Sequence, residues 1–111
     1  MAFSVLYTPD FEKQYKKLSK KYPSLNKDIA KLSLSLSENP LQGIPLGNGC
    51  FKIRLAITSK GKGKSGGARI ITCVIVLENE VYLGAIYDKS EQESISDKEL
   101  NQLVKQILSK N

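Results

Sequence analysis

The sequence predicts an α+β fold with the element order β-α-α-β-β-β-α, in which an N-terminal helical hairpin and a C-terminal helix pack on an antiparallel sheet. Apolar residues repeat at helical spacing in the first third of the chain and again at its end, whereas from Phe51 onward they repeat with a period of two. A length of 111 residues leaves room for one core, so we expect a single domain spanning residues 1–111.

The N-terminal third begins with a weakly alternating segment from Phe3 to Tyr7, which predicts a short strand. Thr8-Pro9-Asp10 begins a helix, because threonine is a good N-cap and proline suits the first helical turn. Tyr22-Pro23 ends that helix, and Pro23 begins a second one that stops at Asn39-Pro40. Each helix carries one apolar stripe, which predicts an antiparallel hairpin.

The rest of the chain predicts three strands followed by a helix. Residues 40–49 are a connection rich in glycine and proline. The strands are predicted at Phe51 to Ile57, Ala68 to Leu77 and Val81 to Tyr87. Ser96 and Glu99 have the spacing of a capping box, so they predict the start of the last helix.

Positive charge is concentrated in one strand–loop–strand segment of the chain. Between Asn39 and Leu77 there is no Asp or Glu, but the segment contains Lys52, Arg54, Lys60, Lys62, Lys64 and Arg69. The whole chain has a net charge of +6 and a pI of about 9.3. Because charges of one sign repel each other, this segment predicts a surface that binds a polyanion.

The composition excludes several classes of site. The chain has no histidine, so the commonest general acid/base and the commonest metal ligand are both missing. Cys50 and Cys73 lack CxxC spacing, so we expect neither a disulfide scaffold nor a zinc site and interpret both as small apolar core residues. Without a membrane-length apolar run or a signal-peptide pattern, we expect a cytoplasmic protein with no metal, cofactor or membrane partner.

The pairing of the predicted strands determines which cations lie together. If Ile57 pairs with Ala68 and Leu77 pairs with Val81, one side of the sheet carries all the candidate site residues. These residues are Lys52, Arg54, Arg69, Tyr87 and Lys89. A shift of one residue in either hairpin would move part of the set to the opposite face.

Cations around a tyrosine suit RNA, because guanidinium groups bind phosphate through two hydrogen bonds and an aromatic ring stacks on a base. Cleavage of RNA by its own 2′-hydroxyl requires alignment, stabilisation of the developing negative charge and two proton transfers. A lysine among other cations gives up its proton more readily, so it can replace histidine as an acid or base. The structural alternative is that the lysines form a solvated surface and that Asp88 or Glu91 pairs with Arg69.

The loop from Ser59 to Gly67 contains Gly63-Lys64-Ser65, which also occurs in the phosphate-binding loops of nucleotide hydrolases. That motif requires glycine at position 58, where Thr58 stands, and a helix afterwards, where a strand is predicted. We therefore interpret the loop as a flexible segment that contacts the RNA backbone through Lys60, Lys62 and Lys64.

Several motifs together resemble the RelE/ParE superfamily of type II toxins, and most closely its RelE- and HigB-like mRNA interferases. The resemblance covers nearly the whole chain. It rests on Phe11-Glu12-Lys13, Lys20-Lys21-Tyr22-Pro23-Ser24-Leu25, Phe51-Lys52-Ile53-Arg54, Lys62-Gly63-Lys64-Ser65-Gly66-Gly67-Ala68-Arg69-Ile70-Ile71 and Ile86-Tyr87-Asp88-Lys89-Ser90-Glu91.

The resemblance implies a metal-independent endoribonuclease that cuts mRNA in the ribosomal A site, inhibits translation and is neutralised by a cognate antitoxin. By position, Lys52 and Arg54 match the basic residues of the strand after the helical hairpin, and Arg69 matches an arginine that contacts the scissile phosphate. Tyr87 and Lys89 match the end of the last strand, where members place a stacking or proton-transfer group. Some HigB-like members have histidines at such positions. Because this chain has no histidine, proton transfer would fall to Lys52 or Lys89.

Two alternatives to the ribonuclease remain open from the sequence. A ParE-like protein of the same fold would poison DNA gyrase by binding it, without cutting RNA. A non-catalytic RNA-binding module would keep the basic surface and lack the reaction. The combination of Arg54, Arg69 and Lys89 favours the ribonuclease, because ParE-like members commonly lack the full basic set.

Overall fold

Residues 2–92 and 94–109, the part of the chain that the computed structural model describes, form three α-helices and one five-stranded sheet. In chain order the elements are β1 Ser4–Tyr7, α1 Pro9–Lys21, α2 Leu25–Glu38, β2 Ile44–Gly47, β3 Cys50–Leu55, β4 Ala68–Ile75, β5 Glu80–Asp88 and α3 Asp97–Leu108. Single 3₁₀ turns, Thr58–Lys60 and Val76–Glu78, lie on either side of β4. None of the described helices is long and apolar enough to cross a membrane.

The strand order is β1-β5-β4-β3-β2, and the sheet is mixed rather than wholly antiparallel. The three strands expected at the centre are antiparallel neighbours, as predicted. Strand β1 instead runs parallel to β5, with Ser4 opposite Glu80 and Tyr7 opposite Leu83. Parallel neighbours need a long connection, and the chain between β1 and β5 supplies it.

The segment 40–49 contains the edge strand β2, although it was predicted as a connection only. Ile44 lies opposite Lys52 and Pro45 lies opposite Phe51 on β3. An edge strand tolerates proline because one side of its backbone has no partner strand. Gly43 and Gly47 have positive φ angles of 97° and 90°, so the backbone bends at both ends of the segment. The segment also lacks the regular apolar–polar alternation that would have predicted a strand.

The predicted helix caps at Thr8 and Ser96 are both present. Thr8 Oγ1 accepts a hydrogen bond from the backbone N–H of Phe11 at 3.1 Å. Ser96 Oγ accepts from the N–H of Glu99 at 3.1 Å, and Glu99 Oε1 accepts from the N–H of Ser96 at 3.3 Å, which completes the capping box. These contacts fix where α1 and α3 begin.

Helix α2 begins at Leu25 rather than at the predicted Pro23. The N–H of Leu25 donates to the carbonyl of Tyr22 at 3.1 Å, so the residues between them form the turn that joins the two helices. Tyr22 therefore projects from this turn, where it contributes to the site described below.

Each face of the sheet has its own apolar core. The helical hairpin covers one face, where Phe11, Leu25 and Ile29 pack with Ile70 and Leu83. Helix α3 packs on the other face, in a cluster that contains Ile71, Tyr82, Tyr87, Leu100, Leu103 and Ile107. At the β3 end of this second face Arg54 remains exposed, so α3 leaves that end open.

Candidate functional site

The two assumed strand pairings were wrong, but four of the five candidates, Lys52, Arg54, Arg69 and Tyr87, share one face of the sheet as those pairings predicted. Ala68 pairs with Leu55 instead of Ile57, a shift of two residues. Val81 pairs with Val74 instead of Leu77, and a bulge between Ile71 and Thr72 reduces that displacement to two residues near Arg69. An even displacement keeps every side chain on its face. The loop that connects the strands is longer than assumed in both hairpins, and each loop contains a 3₁₀ turn.

Three of the predicted site residues form a row across neighbouring strands. Arg54 lies opposite Arg69, and Arg69 lies opposite Tyr87. Lys52 lies two residues before Arg54 on β3 and therefore on the same face. Lys89 follows the end of β5, where its backbone N–H donates to the carbonyl of Gly67 at 3.0 Å. The structure thus brings the five candidates together at one end of the sheet.

Arg69 is buried and holds the loop that precedes its own strand. Only 3% of the residue is exposed. Its Nη1 donates to the carbonyl of Lys64 at 2.9 Å, and its Nη2 approaches the carbonyl of Ser65 at 3.4 Å. The guanidinium therefore positions the backbone of this loop, and it places a fixed positive charge beneath the loop.

The three loop lysines that were predicted to contact RNA have different surroundings. Lys62 and Lys64 are exposed at the surface. Lys60 is half-buried, and its Nζ lies 2.7 Å from Oδ1 of Asp88. A charge that is already paired binds a phosphate less strongly, so Lys62 and Lys64 are the better placed of the three.

Asp88 is a buried carboxylate at the end of β5, with 1% of the residue exposed. Tyr22 donates to its Oδ2 at 2.5 Å, while Lys60 and both the N–H and the hydroxyl of Ser90 contact its Oδ1. Burial alone would raise the pKa of Asp88, but the hydrogen bonds from Lys60, Tyr22 and Ser90 outweigh it and hold this pKa well below its usual range.

Arg69 does not form the salt bridge that the structural alternative required of Asp88 or Glu91. The ion pairs within residues 2–92 and 94–109 join Lys60 to Asp88 and Lys21 to Glu91. Both carboxylates therefore have other partners, and Arg69 is held by backbone carbonyls.

The environment of Asp88 predicts a loss of stability in acid. Its pKa is lower in the folded chain than the value of about 3.9 that an unfolded chain gives, so unfolding takes up protons at low pH. The contribution of Asp88 is fully present above about pH 5 and decreases as the pH falls through the unfolded pKa. Urea unfolding of wild type and Asp88→Asn at several pH values should therefore show a stability difference that shrinks below pH 5. A difference independent of pH would contradict this account.

Tyr87 is buried beneath α3, in contrast to the exposed stacking ring that the sequence suggested. Only 7% of the residue is exposed, and its hydroxyl has no hydrogen-bond partner among residues 2–92 and 94–109. Burial raises the pKa of Tyr87, although the nearby Arg69 opposes the shift. The phenol therefore stays protonated at neutral pH, and its hydroxyl oxygen is itself buried.

A basic groove of about 620 Å³ runs along the outer edge of β3, past Ile44, where β2 begins. Its cationic lining consists of Lys31, Lys52, Arg54 and Lys64. One carboxylate, that of Asp28, also lines it and accepts hydrogen bonds from the N–H of Thr58 at 3.0 Å and from its hydroxyl at 2.6 Å. The groove is therefore positive overall and open to solvent.

The sequence did not single out this groove or Lys31 of α2. The groove exists because β2 pairs only with the first half of β3, and that pairing could not be predicted from a strand that the sequence conceals. No group of three or more Cys, Asp or Glu side chains arranged to hold a metal occurs within residues 2–92 and 94–109.

A family model described as the RelE toxin of the RelE/RelB toxin–antitoxin system matches residues 4–110. The match covers both faces of the sheet and all of the candidate site residues, and it defines the chain as a toxin of the type II class. The chain belongs to the RelE toxin family. The family that the sequence motifs resembled is thereby confirmed.

Solved structures confirm the fold class. A mutant of the E. coli toxin RelE in the free state is 18% identical, with 96% of this chain and 99% of that chain covered and a TM-score of 0.64. A RelBE toxin–antitoxin complex from Mycobacterium tuberculosis is 19% identical, with 79% and 99% covered and a TM-score of 0.59. The intact E. coli RelBE complex is 18% identical, with 78% and 96% covered and a TM-score of 0.58.

Proposed function

We propose that this toxin is an endoribonuclease that cuts mRNA on the ribosome and thereby stops translation. The observation that carries the proposal is the row of Arg54, Arg69 and Tyr87 across three strands, whose first member, Arg54, lines an open basic groove. Membership of the RelE toxin family supports it. The cytoplasm, where mRNA and ribosomes meet, is the compartment that this function requires.

The proposed reaction is attack of the RNA 2′-hydroxyl on the adjacent phosphate. Arg54 is exposed and binds the phosphate directly, because a guanidinium matches two phosphate oxygens. Arg69 adds a fixed charge behind it, which stabilises the negative charge that develops in the transition state. Lys52 or Lys89 transfers the protons in a chain without histidine. This chemistry needs no metal or cofactor.

The groove and the loop from Ser59 to Gly67, here called the basic loop, provide the path for the rest of the RNA strand. Lys31 and Lys52 line the groove along β3, and Lys62 and Lys64 extend from the loop at its end. Cations spaced along a groove follow a sugar–phosphate backbone without reading its sequence. Lys60 assists by fixing the loop through Asp88 rather than by contacting RNA.

Tyr87→Phe should separate catalysis from stability. Removing a buried hydroxyl that has no partner among the described residues is expected to leave the melting temperature unchanged or slightly higher. If that hydroxyl donates a proton or a hydrogen bond to the substrate, cleavage should fall by about 100-fold. Thermal unfolding and single-turnover cleavage of ribosome-bound mRNA measure the two effects. Unchanged cleavage would remove Tyr87 from the site.

A cognate antitoxin is the proposed protein partner. Two of the similar structures are toxin–antitoxin complexes. An antitoxin inhibits this chain either by covering the basic face or by displacing α3, in which case it contacts Leu100, Val104 and Ile107. Leu100 and Ile107 are buried against the sheet, so the second route requires α3 to move. A complex that leaves both surfaces open would contradict this proposal.

The test of the proposed function compares ribosome-bound and free mRNA in a reconstituted translation reaction. We expect cleavage of the ribosome-bound message and little cleavage of free RNA. Absence of cleavage by a folded protein would reject the ribonuclease. A gyrase supercoiling assay on the same preparation would then show whether the chain acts as a ParE-like inhibitor.

A further inference from the structure

The structure brings the two cysteines, which are far apart in sequence, directly opposite each other on neighbouring strands. Cys50 of β3 is the register partner of Cys73 of β4, and their Sγ atoms are 2.7 Å apart. Both are buried free thiols, with 1% and 5% of the residue exposed. The sequence interpretation of both as core residues is correct, but their pairing was not foreseen.

The local backbone geometry suits a cross-strand bond. The N–H of Val74 donates to the carbonyl of Gly49 at 2.9 Å, so the hydrogen-bonded pair lies one position away from the cysteines. Cys50 and Cys73 consequently occupy a non-hydrogen-bonded pair, where opposite Cα atoms lie about 4.5 Å apart and side chains are closest. That separation is within the range that disulfides span without backbone movement.

The thiols also differ in chemistry and have a route to solvent. The hydrogen bond from Cys73 lowers the pKa of Cys50, and the same contact raises the pKa of Cys73. A surface pocket of about 190 Å³ reaches Cys73 between the end of β4 and the last turns of α3, with Val104, Ile107 and Leu108 among its lining residues. A small oxidant fits this pocket, whereas a large one would need α3 to open.

We propose that Cys50 and Cys73 are a site of reversible oxidation, where hydrogen peroxide converts the two thiols into an intramolecular disulfide. Peroxide enters through the pocket at Cys73, whose sulfur lies 2.7 Å from that of Cys50. The thiolate of Cys50 attacks one peroxide oxygen and the O–O bond breaks, which gives a sulfenic acid and a hydroxide that takes up a proton. The sulfur of Cys73 then attacks the Cys50 sulfur, loses its proton and releases water. Two thiols lose two electrons, and one peroxide is reduced to two molecules of water.

The bond fastens β3 to β4 beneath α3 and closes a loop that contains the basic segment between the two cysteines. Closing a loop of this length stabilises the fold mainly by restricting the unfolded chain. The melting temperature of the oxidised protein should therefore be about 10 °C higher than that of the reduced protein. The inference does not depend on RNA cleavage, because it requires only the register, the burial and the pocket.

The experiment treats the folded protein with hydrogen peroxide and maps its peptides without reduction. We expect a linked peptide pair containing Cys50 and Cys73, a monomer on a non-reducing gel, and a higher melting temperature that dithiothreitol reverses. Cys50→Ala and Cys73→Ala should show no rise. If a variant fails to fold, the peptide map of the wild type still shows whether the disulfide between Cys50 and Cys73 forms. Two unmodified thiols, sulfinic acids at either cysteine, or disulfide-linked dimers would overturn the proposal.

Discussion

Replacing Arg54 by alanine should slow the cleavage of ribosome-bound mRNA by about 100- to 1000-fold, because it removes one preorganised cation from the transition state. Arg54 is exposed on the site face, the side of the sheet that carries the candidate residues, at the end that α3 leaves open. The fold should therefore be unaffected. Single-turnover cleavage and thermal unfolding of the same preparations measure the two quantities.

Lys13→Ala is the matched control, since it also removes one exposed positive charge but lies on α1, outside the site face. It should leave cleavage within a few-fold of wild type. Equal losses in both variants would mean that net charge, and not the site, governs the reaction. Arg69→Ala should lose cleavage and stability together, because Arg69 is buried and holds the basic loop.

Asp88→Asn should produce the largest loss of stability. Asparagine leaves the half-buried Lys60 ammonium without its counter-charge, and it accepts fewer hydrogen bonds from Tyr22 and Ser90. Removing one partner of a buried pair costs about 3–5 kcal/mol. For a chain of this size the melting temperature should fall by about 10–20 °C.

Glu91→Gln provides the comparison for this variant. Its ion pair with Lys21 is at the surface, with 60% and 59% of the two side chains exposed. Such pairs contribute about 0–1 kcal/mol, so the melting temperature should change by only a few degrees. Similar shifts in the two variants would show that the Asp88 network is not a structural anchor.

Much of the fold follows from local signals in the sequence. The caps at Thr8 and Ser96, the helical stripes and the alternation after Phe51 predict α1, α2, α3 and the central strands. Strand β2 could not be predicted, because its proline and flanking glycines are tolerated only by an edge strand with a particular neighbour. The parallel pairing of β1 with β5 joins two strands that are far apart in the sequence, so no local signal predicts it.

The candidate site was predicted by face but not by environment. Alternation places Lys52, Arg54 and Arg69 on one side, and an error of two residues in register preserves that result. Which of these side chains is buried depends on α3 and on the basic loop, neither of which the strand pattern specifies. The burial of Tyr87, the pairing of Lys60 with Asp88 and the contact between the cysteines are therefore tertiary effects.

The most direct test of the central claim is primer extension on two reporter messages in a reconstituted translation reaction. One message is ordinary RNA, and the other carries a 2′-deoxy nucleotide immediately before the mapped cut. The account predicts a discrete, ribosome-dependent cut in the first message and none at that position in the second, because the attacking hydroxyl is missing. Equal cutting of both messages, or cutting of neither, would contradict the claim that this face cleaves mRNA through the 2′-hydroxyl.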